Sequence, residues 1–404
     1  MRLLLSALLA LLMVTPSVAK SQKEYKEIRS YIKAGSNLDK ALQIVEQCKK
    51  DSQFLNDPEL YRLAALVEKK RNEAQNTKLY LKQSYDTAVF FSSIYGMFEY
   101  SLAWDDKECI PDSKGRIRPR SRDKIHAVLQ KQYSNLFAGG LYYMKKRNYS
   151  EANKMFSLYL DTADHGVFLA DSLQKTDPRR SRAAFWSLVC SFEQQDFEGV
   201  FKYSELARQD SANQDLCLQY EVIACRQLER TEQMVETLRE GIDLVPDNHY
   251  FFSNLIDYYN EQSDYASGLE LCQRMVEHDS TAMLFRFAEG VILFNLERYD
   301  ECIDQMLHVQ SKDTTFVEAD FYIASCYYNK AVDIEKAVTA DLTASEFVDM
   351  RNRTQEFYKK ALPYMESYRA LCPDDSARWG MPLYKMYLAL NEAKKFKEIE
   401  ALIN

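Results

Sequence analysis

"SDYASGLELCQRMVEHD", Ser263 to Asp279, looks like any amphipathic stretch until the chain on either side is laid beside it. One full period further on stands "ERYDECIDQMLHVQSKD", Glu297 to Asp313, and one period back "ERTEQMVETLREGIDLV", Glu229 to Val245. Few letters coincide, yet the pattern of large, small and polar residues returns. Tyr265, Gly268, Cys272 and Val276 correspond to Tyr299, Cys302, Met306 and Val309 in the next copy and to Thr231, Met234, Leu238 and Gly241 upstream. Phe197, Val200, Ser204 and Ala207 come one copy earlier still. Such spacings fall along one face of an α-helix. Small residues on that face let a second helix approach closely, and the large ones fill the gaps beside it.

The second helix is the one that precedes it. Phe252, Leu255, Ile256 and Tyr259 repeat the spacing, as do Leu218, Val222 and Cys225, and Asp320, Ile323, Ala324 and Tyr327. Polar turns such as "NEQSD" (260–264) join the two helices, and Pro246 in "LVPDN" (244–248) separates one pair from the next. A single helical hairpin cannot bury both its faces, so neighbours must stack. This resembles the tetratricopeptide repeat, a helix-turn-helix unit of about 34 residues. Its signature is best matched at "GGLYYMKKRNYSEANKMF" (Gly140, Tyr143, Tyr149, Ala152, Phe156) and "FYKKALPYMESYRALCPDD" (Tyr358, Ala361, Tyr368, Pro373). The resemblance covers about 130–404. It implies an all-α fold, a right-handed α-solenoid of stacked helical hairpins.

The bulk numbers agree. Only 20 of 404 residues are Gly or Pro, and 46% are hydrophobic. Few breakers and an ample apolar content favour helices around a continuous core. The formal charge of −8 speaks against a general nucleic-acid binder. The opening "MRLLLSALLALLMVTPSVAKSQ" has Arg2, an apolar run from Leu3 to Val14, and small residues before Ala19. It reads as a secretory signal peptide over 1–19 with cleavage after Ala19. The run is too short to span a bilayer, and no Cys follows it to carry a lipid. The protein is therefore expected to be exported, to the periplasm or beyond, without a transmembrane segment in the mature chain. Nine Cys without paired spacing are expected to be mostly buried thiols, with Cys109 the exposed one.

Residues 20–104 read as an N-terminal helical region with degenerate repeats, and 125–404 as the repeat array. Two stretches interrupt the count. The gap from Tyr299 to Tyr358 is much longer than one unit, contains no Gly or Pro in its extra length, and offers Thr343 and Glu346 as a capping box. It predicts one extended hairpin at about 330–360, either a packing elaboration or a contact arm. The other is a loop over 105–124, in which Lys114, Arg116, Arg118, Arg120, Arg122 and Lys124 alternate. In an extended strand these would point to one side. They could then grip an anionic surface of the envelope, or simply be solvated among local carboxylates.

A search for chemistry finds no phosphate-binding loop, nucleophile elbow or zinc spacing. The five His, at 126, 165, 249, 278 and 308, are scattered. No catalytic residue, metal site or cofactor is expected. In the family that the chain resembles, the first helices of successive hairpins line a concave groove. Carried over position by position, this implies a partner-binding row of Phe137 and Leu141, Phe185 and Phe192, Gln219 and Arg226, Ser253, Asp257 and Asn260, Phe287 and Phe294, and Phe321 and Tyr328. An aromatic groove suits a peptide, unless tighter curvature buries the rings between repeats. The expectation is a non-enzymatic protein-interaction scaffold of the bacterial cell envelope, binding a peptide or protein segment. The alternative is a glycan- or small-ligand-binding envelope protein on the same scaffold.

Overall fold

A computed structural model describes residues 16–111, 114–337 and 343–403. The signal-peptide reading falls mostly outside them, and Ala19 lies within the first described helix. Every regular element among the described residues is helical. The chain divides into two compact units, one ending at Thr237 and one beginning at Leu238.

The first unit opens with α1 (Pro16–Ala34), α2 (Leu38–Lys49), α3 (Pro58–Tyr80) and α4 (Thr87–Glu108). The first three pack on one another, and α3 pairs closely with α4. Tyr25, Ile28, Val45, Leu60, Val67 and Tyr100 form their core. After α5 (Arg122–Leu129) come α6 (Tyr133–Lys145) and α7 (Tyr149–Asp164), an antiparallel pair. Gly140 permits their close approach, since a Cβ there would stand 2.5 Å from the buried Phe156 ring. A short helix α8 (Leu173–Thr176) leads into α9 (Arg180–Glu193).

The copy that begins at Phe197 departs from expectation. The spacing predicts one helix; the structure gives α10 (Phe197–Val200) and α11 (Ser204–Ala207) with a turn between. Gly199 weakens the helix there. The backbone tightens to three-residue bonds, from Phe201 N–H to Glu198 O and from Lys202 N–H to Gly199 O, both at 3.2 Å. The inward face survives the break, with Val200, Ser204 and Ala207 all buried. Helix α12 (Gln214–Gln227) completes this set, and α13 (Thr231–Leu244) contains the division between units.

The second unit continues with α14 (His249–Glu261), α15 (Tyr265–His278), α16 (Met283–Asn295), α17 (Tyr299–Lys312), α18 (Val317–Lys336), α19 (Ala344–Leu371), α20 (Ser376–Ala389) and α21 (Ala393–Ile403). Each packs against the next in chain order, with α16 also against α18. First helices start at 249, 283 and 317 and second helices at 231, 265 and 299, so the period seen in the letters is a period of real elements. Helices α14 to α17 have 13 or 14 residues, whereas α18 has 20 and α19 has 28. Thr343 and Glu346 form the reciprocal capping box at the start of α19.

The turn inside each hairpin repeats as strictly as the helices. Gln195, Glu229, Ser263 and Glu297 all have φ between 56° and 59°, and each follows the last by one full period. Arg147 and Asn391 close other hairpins in the same way. The residue after each donates its N–H to the carbonyl five positions back: Asp196 to Ser191, Arg230 to Cys225, Asp264 to Tyr259 and Arg298 to Leu293, at 2.8–2.9 Å. This is a Schellman ending, which satisfies carbonyls that the helix leaves unpaired. That same residue often starts the next helix. Asn148, Asp196 and Asp264 accept from the N–H groups of Glu151, Gly199 and Ser267. In these three copies an aromatic residue follows at once: Tyr149, Phe197 and Tyr265.

All nine cysteines are free thiols, and seven are buried. Cys109 is not the exposed loop residue expected. It ends α4, half-buried, with its Sγ 3.1 Å from Arg122 Nη2. Burial pushes the Cys190 and Cys217 thiols up to about 12, so neither supplies a thiolate near neutral pH.

Candidate functional site

The aromatic row divides along the chain. In the first unit Phe137 is 8% exposed and Phe185 is 4%, so both belong to the core and offer a ligand nothing. Phe137 packs edge-on to Phe156, and Phe185 lies against Trp186. Phe192 is half-buried with Tyr220 4.6 Å away, and Leu141 is half-buried against the same core. For Phe137 and Phe185 the groove assignment is therefore corrected: close helix packing turns these rings inward. Gln219 is half-buried and Arg226 exposed.

In the second unit the row stays at the surface. Ser253 and Asn260 are half-buried and Asp257 is exposed on α14. Phe287 and Phe294 on α16 are half-buried. Tyr322 on α18, absent from the row expected on sequence, meets both of them, at 5.9 and 5.3 Å between ring centres. Three rings thus join two successive first helices in one ladder. Tyr322 stands one place along from the positions carried over from the family, so the expected register drew attention to Phe321 instead. Phe321 is taken up otherwise. The Arg378 guanidinium lies 3.5 Å from its ring centre, held by Glu318 Oε1 and Oε2 at 3.0 and 2.8 Å. Tyr328 packs beside Tyr358, 5.8 Å away.

The basic loop is altered in one respect that matters. Arg116, Arg118 and Arg120 are exposed, in irregular backbone. Arg122 leaves the row, because α5 starts there and turns it inward. Its Nε and Nη2 donate to Asp105, which is buried, at 3.1 and 2.7 Å. Beside this pair, Asp105, Asp106 and His165 bring potential ligand atoms within 4.8 Å of one another. The Arg122 guanidinium already pairs with Asp105, which makes this a less favourable place for a cation. No sequence signal could have found it, since Asp106 and His165 come from distant parts of the chain.

Among the cavities that lie away from the ladder, two matter here. One of about 330 Å³ in the first unit is polar, lined by Tyr95, Asn153, Ser157, Asp161 and Gln194 among others. One of about 240 Å³ in the second lies between α18, α19 and the end of α20. Among the described residues no helix is long and apolar enough to cross a membrane.

Several solved structures share this architecture. The C-terminal part of a TPR repeat-containing protein from Cytophaga hutchinsonii is 11% identical over 65% of this chain and 92% of its own, with a TM-score of 0.41. A tetratricopeptide repeat protein from Parabacteroides merdae is 12% identical over 60% and 93%, with a TM-score of 0.35. A TPR repeats protein from Bacteroides fragilis is 17% identical over 67% and 98%, with a TM-score of 0.31. No family model and no curated protein matches. The chain is an all-α array of tetratricopeptide-like hairpins. Its own helices and turns recur at a fixed interval, which is what defines the array.

Proposed function

We propose that the protein is a non-enzymatic scaffold that holds a peptide or protein segment of a partner along the first helices of its second unit. The observation that carries this is the half-buried ladder of Phe287, Phe294 and Tyr322. Aromatic rings at a groove supply large contact area at little entropic cost, and such anchors dominate peptide binding. The polar residues on α14 next in the series would set register. A random peptide library selected on the whole chain supplies a ligand to measure. Phe294→Ala is expected to weaken the selected peptide about five- to thirtyfold, since losing one anchor costs about 1–2 kcal/mol. A peptide that binds Phe294→Ala and Tyr322→Ala as tightly as the parent sinks the groove.

The placement in a bacterial cell envelope is supported by the leader-like stretch over 1–19 alone. An exported chain that still begins at Met1 would rule out cleavage after Ala19, and cosedimentation with anionic vesicles unchanged after Arg116→Glu, Arg118→Glu and Arg120→Glu together would count against envelope contact through the loop. A second reading, a glycan or small polar ligand, is favoured by the polar cavity around Asn153 and Gln194. A glycan array separates it from the first.

A further inference from the structure

The corner between α3 and α4 turns three apolar residues into solvent. It closes as the other corners do, with Lys82 in the left-handed region at φ of 55° and the Gln83 N–H donating to Lys78 O at 2.8 Å. Leu79, Tyr80 and Leu81 lie between those two lysines and are 44%, 86% and 55% exposed. No other large apolar side chain among the described residues is as exposed as Tyr80. The corner between α6 and α7 stands beside this one. The Tyr143 hydroxyl, near the end of α6, lies 3.5 Å from the Ala88 carbonyl oxygen at the start of α4, and the Tyr142 ring lies 5.2 Å from that of Phe91. That second corner presents Lys145, Lys146 and Arg147, all exposed. A cation at a helix end suits the dipole, which accounts for Lys78 and Lys145 but not for an uncovered aromatic tip. Lys78, Lys82, Lys145, Lys146 and Arg147 have no carboxylate partner among the described residues. The acidic groups nearest along the chain are engaged: Glu73 by Lys70 at 2.8 Å, Glu151 by Lys154 at 2.6 Å, and Asp86 by the Val89 N–H that it caps.

We propose that these two corners dock the protein on an anionic lipid surface, with Leu79, Tyr80 and Leu81 entering the headgroup layer and the five cations meeting lipid phosphates. The inference rests on the envelope placement and is independent of the aromatic ladder. Charge selects the occupant first: five cations without carboxylate partners gather at one edge of a chain whose formal charge is −8. An anionic leaflet attracts such a cluster. Shape selects it next. A protein partner would need a hollow to receive this convex tip, and three residues fall well short of the ~800 Å² that each side of a stable protein interface buries. A headgroup layer admits a convex point directly. Tyr at the interface with Leu beside it is the composition that such a layer retains, and lysine stems can lie along it with their ammonium groups outward. The basic loop over 114–120 begins beyond the other end of α4, which has 22 residues and is about 30 Å long. The two cationic sites are therefore separable.

The test places a reporter at the tip. Tyr80→Trp is made in the whole chain, and its emission, less that of the parent, is followed with vesicles of phosphatidylcholine alone or mixed in equal parts with phosphatidylglycerol. A saturable blue shift is expected with the mixed vesicles only. Lys145→Glu, Lys146→Glu and Arg147→Glu together should weaken it about tenfold or more. Glu occupies the place of Arg147 in two other corners, as Glu229 and Glu297, so the reversal suits the fold. Arg116→Glu, Arg118→Glu and Arg120→Glu together should leave the shift intact, as should Phe294→Ala. Emission that does not move, that moves equally with phosphatidylcholine alone, or that moves equally with polyglutamate in place of vesicles overturns the proposal. So does a shift lost on reversing the loop. Because the readout needs no selected peptide, failure of the ladder and failure of the corner are separately visible.

Discussion

Arg208→Met is expected to destabilise the first unit by about 3–5 kcal/mol, the range for stripping the partner from a buried charge. Glu221 sits on α12 with 1% of its surface exposed, and Arg208, which follows α11, reaches it with Nε 2.9 Å from Oε1 and Nη2 on Oε2. The pair joins the end of the second fragment, α11, to α12, so it ties the irregular copy to the helix that follows it. Removing the guanidinium takes the opposite charge away from a carboxylate that is shut off from water. Urea unfolding should show a marked fall in midpoint. The double variant Arg208→Met with Glu221→Leu should regain most of the loss, because a packed apolar pair often equals a buried ion pair. If the single variant unfolds at the parental midpoint, the pair contributes nothing and the break must be held by packing alone.

Glu68→Gln should act in the opposite direction and only at higher pH. Burial raises the Glu68 pKa from 4.5 to about 7, with Asp39 and Glu99 adding to the effect and Arg71 opposing it. The side chain lies in the space left by Gly96, where a Cβ would come within 2.6 Å of its Oε1. Arg71 Nη1 stands 2.8 Å from Oε2 and the same guanidinium also serves the exposed Asp39. Between the two pKa values the folded chain keeps a proton that the unfolded chain has released. Stability from this group is therefore complete below about pH 4.5 and is lost as the pH rises through 7. A difference of this size corresponds to about 3 kcal/mol at pH 8. Glutamine copies the neutral acid, so the variant should match the parent at pH 4 and exceed it by about that amount at pH 8. Midpoints that run parallel from pH 4 to pH 8 would show that Glu68 titrates in the fold as it does in the unfolded chain.

The fold is legible because burial at a fixed interval imposes a size pattern even where letters differ. Tyr265, Tyr299 and Thr231 mark helix starts as expected, and the capping box at Thr343 is visible as local chemistry. The break after Val200 is not, since one Gly in a helical pattern is ordinarily tolerated. The candidate site is half legible. Sequence spacing shows which residues share a helix face, but not how far the next helix leans over them. That lean buries Phe137 and Phe185 while leaving Phe287 and Phe294 at the surface. Arg122 departs from its expected row for a related reason: a period of two says nothing once a helix begins, and its attraction is to Asp105 on the preceding long helix.

Six residues that close hairpins in the left-handed region are Arg147, Gln195, Glu229, Ser263, Glu297 and Asn391, none of them glycine. A side chain in that conformation costs about 1–2 kcal/mol, so no letter is selecting it; the two helices it joins impose it. A stretch of gene copied in tandem would bring both helices and hence its own stop, whatever residue lay between.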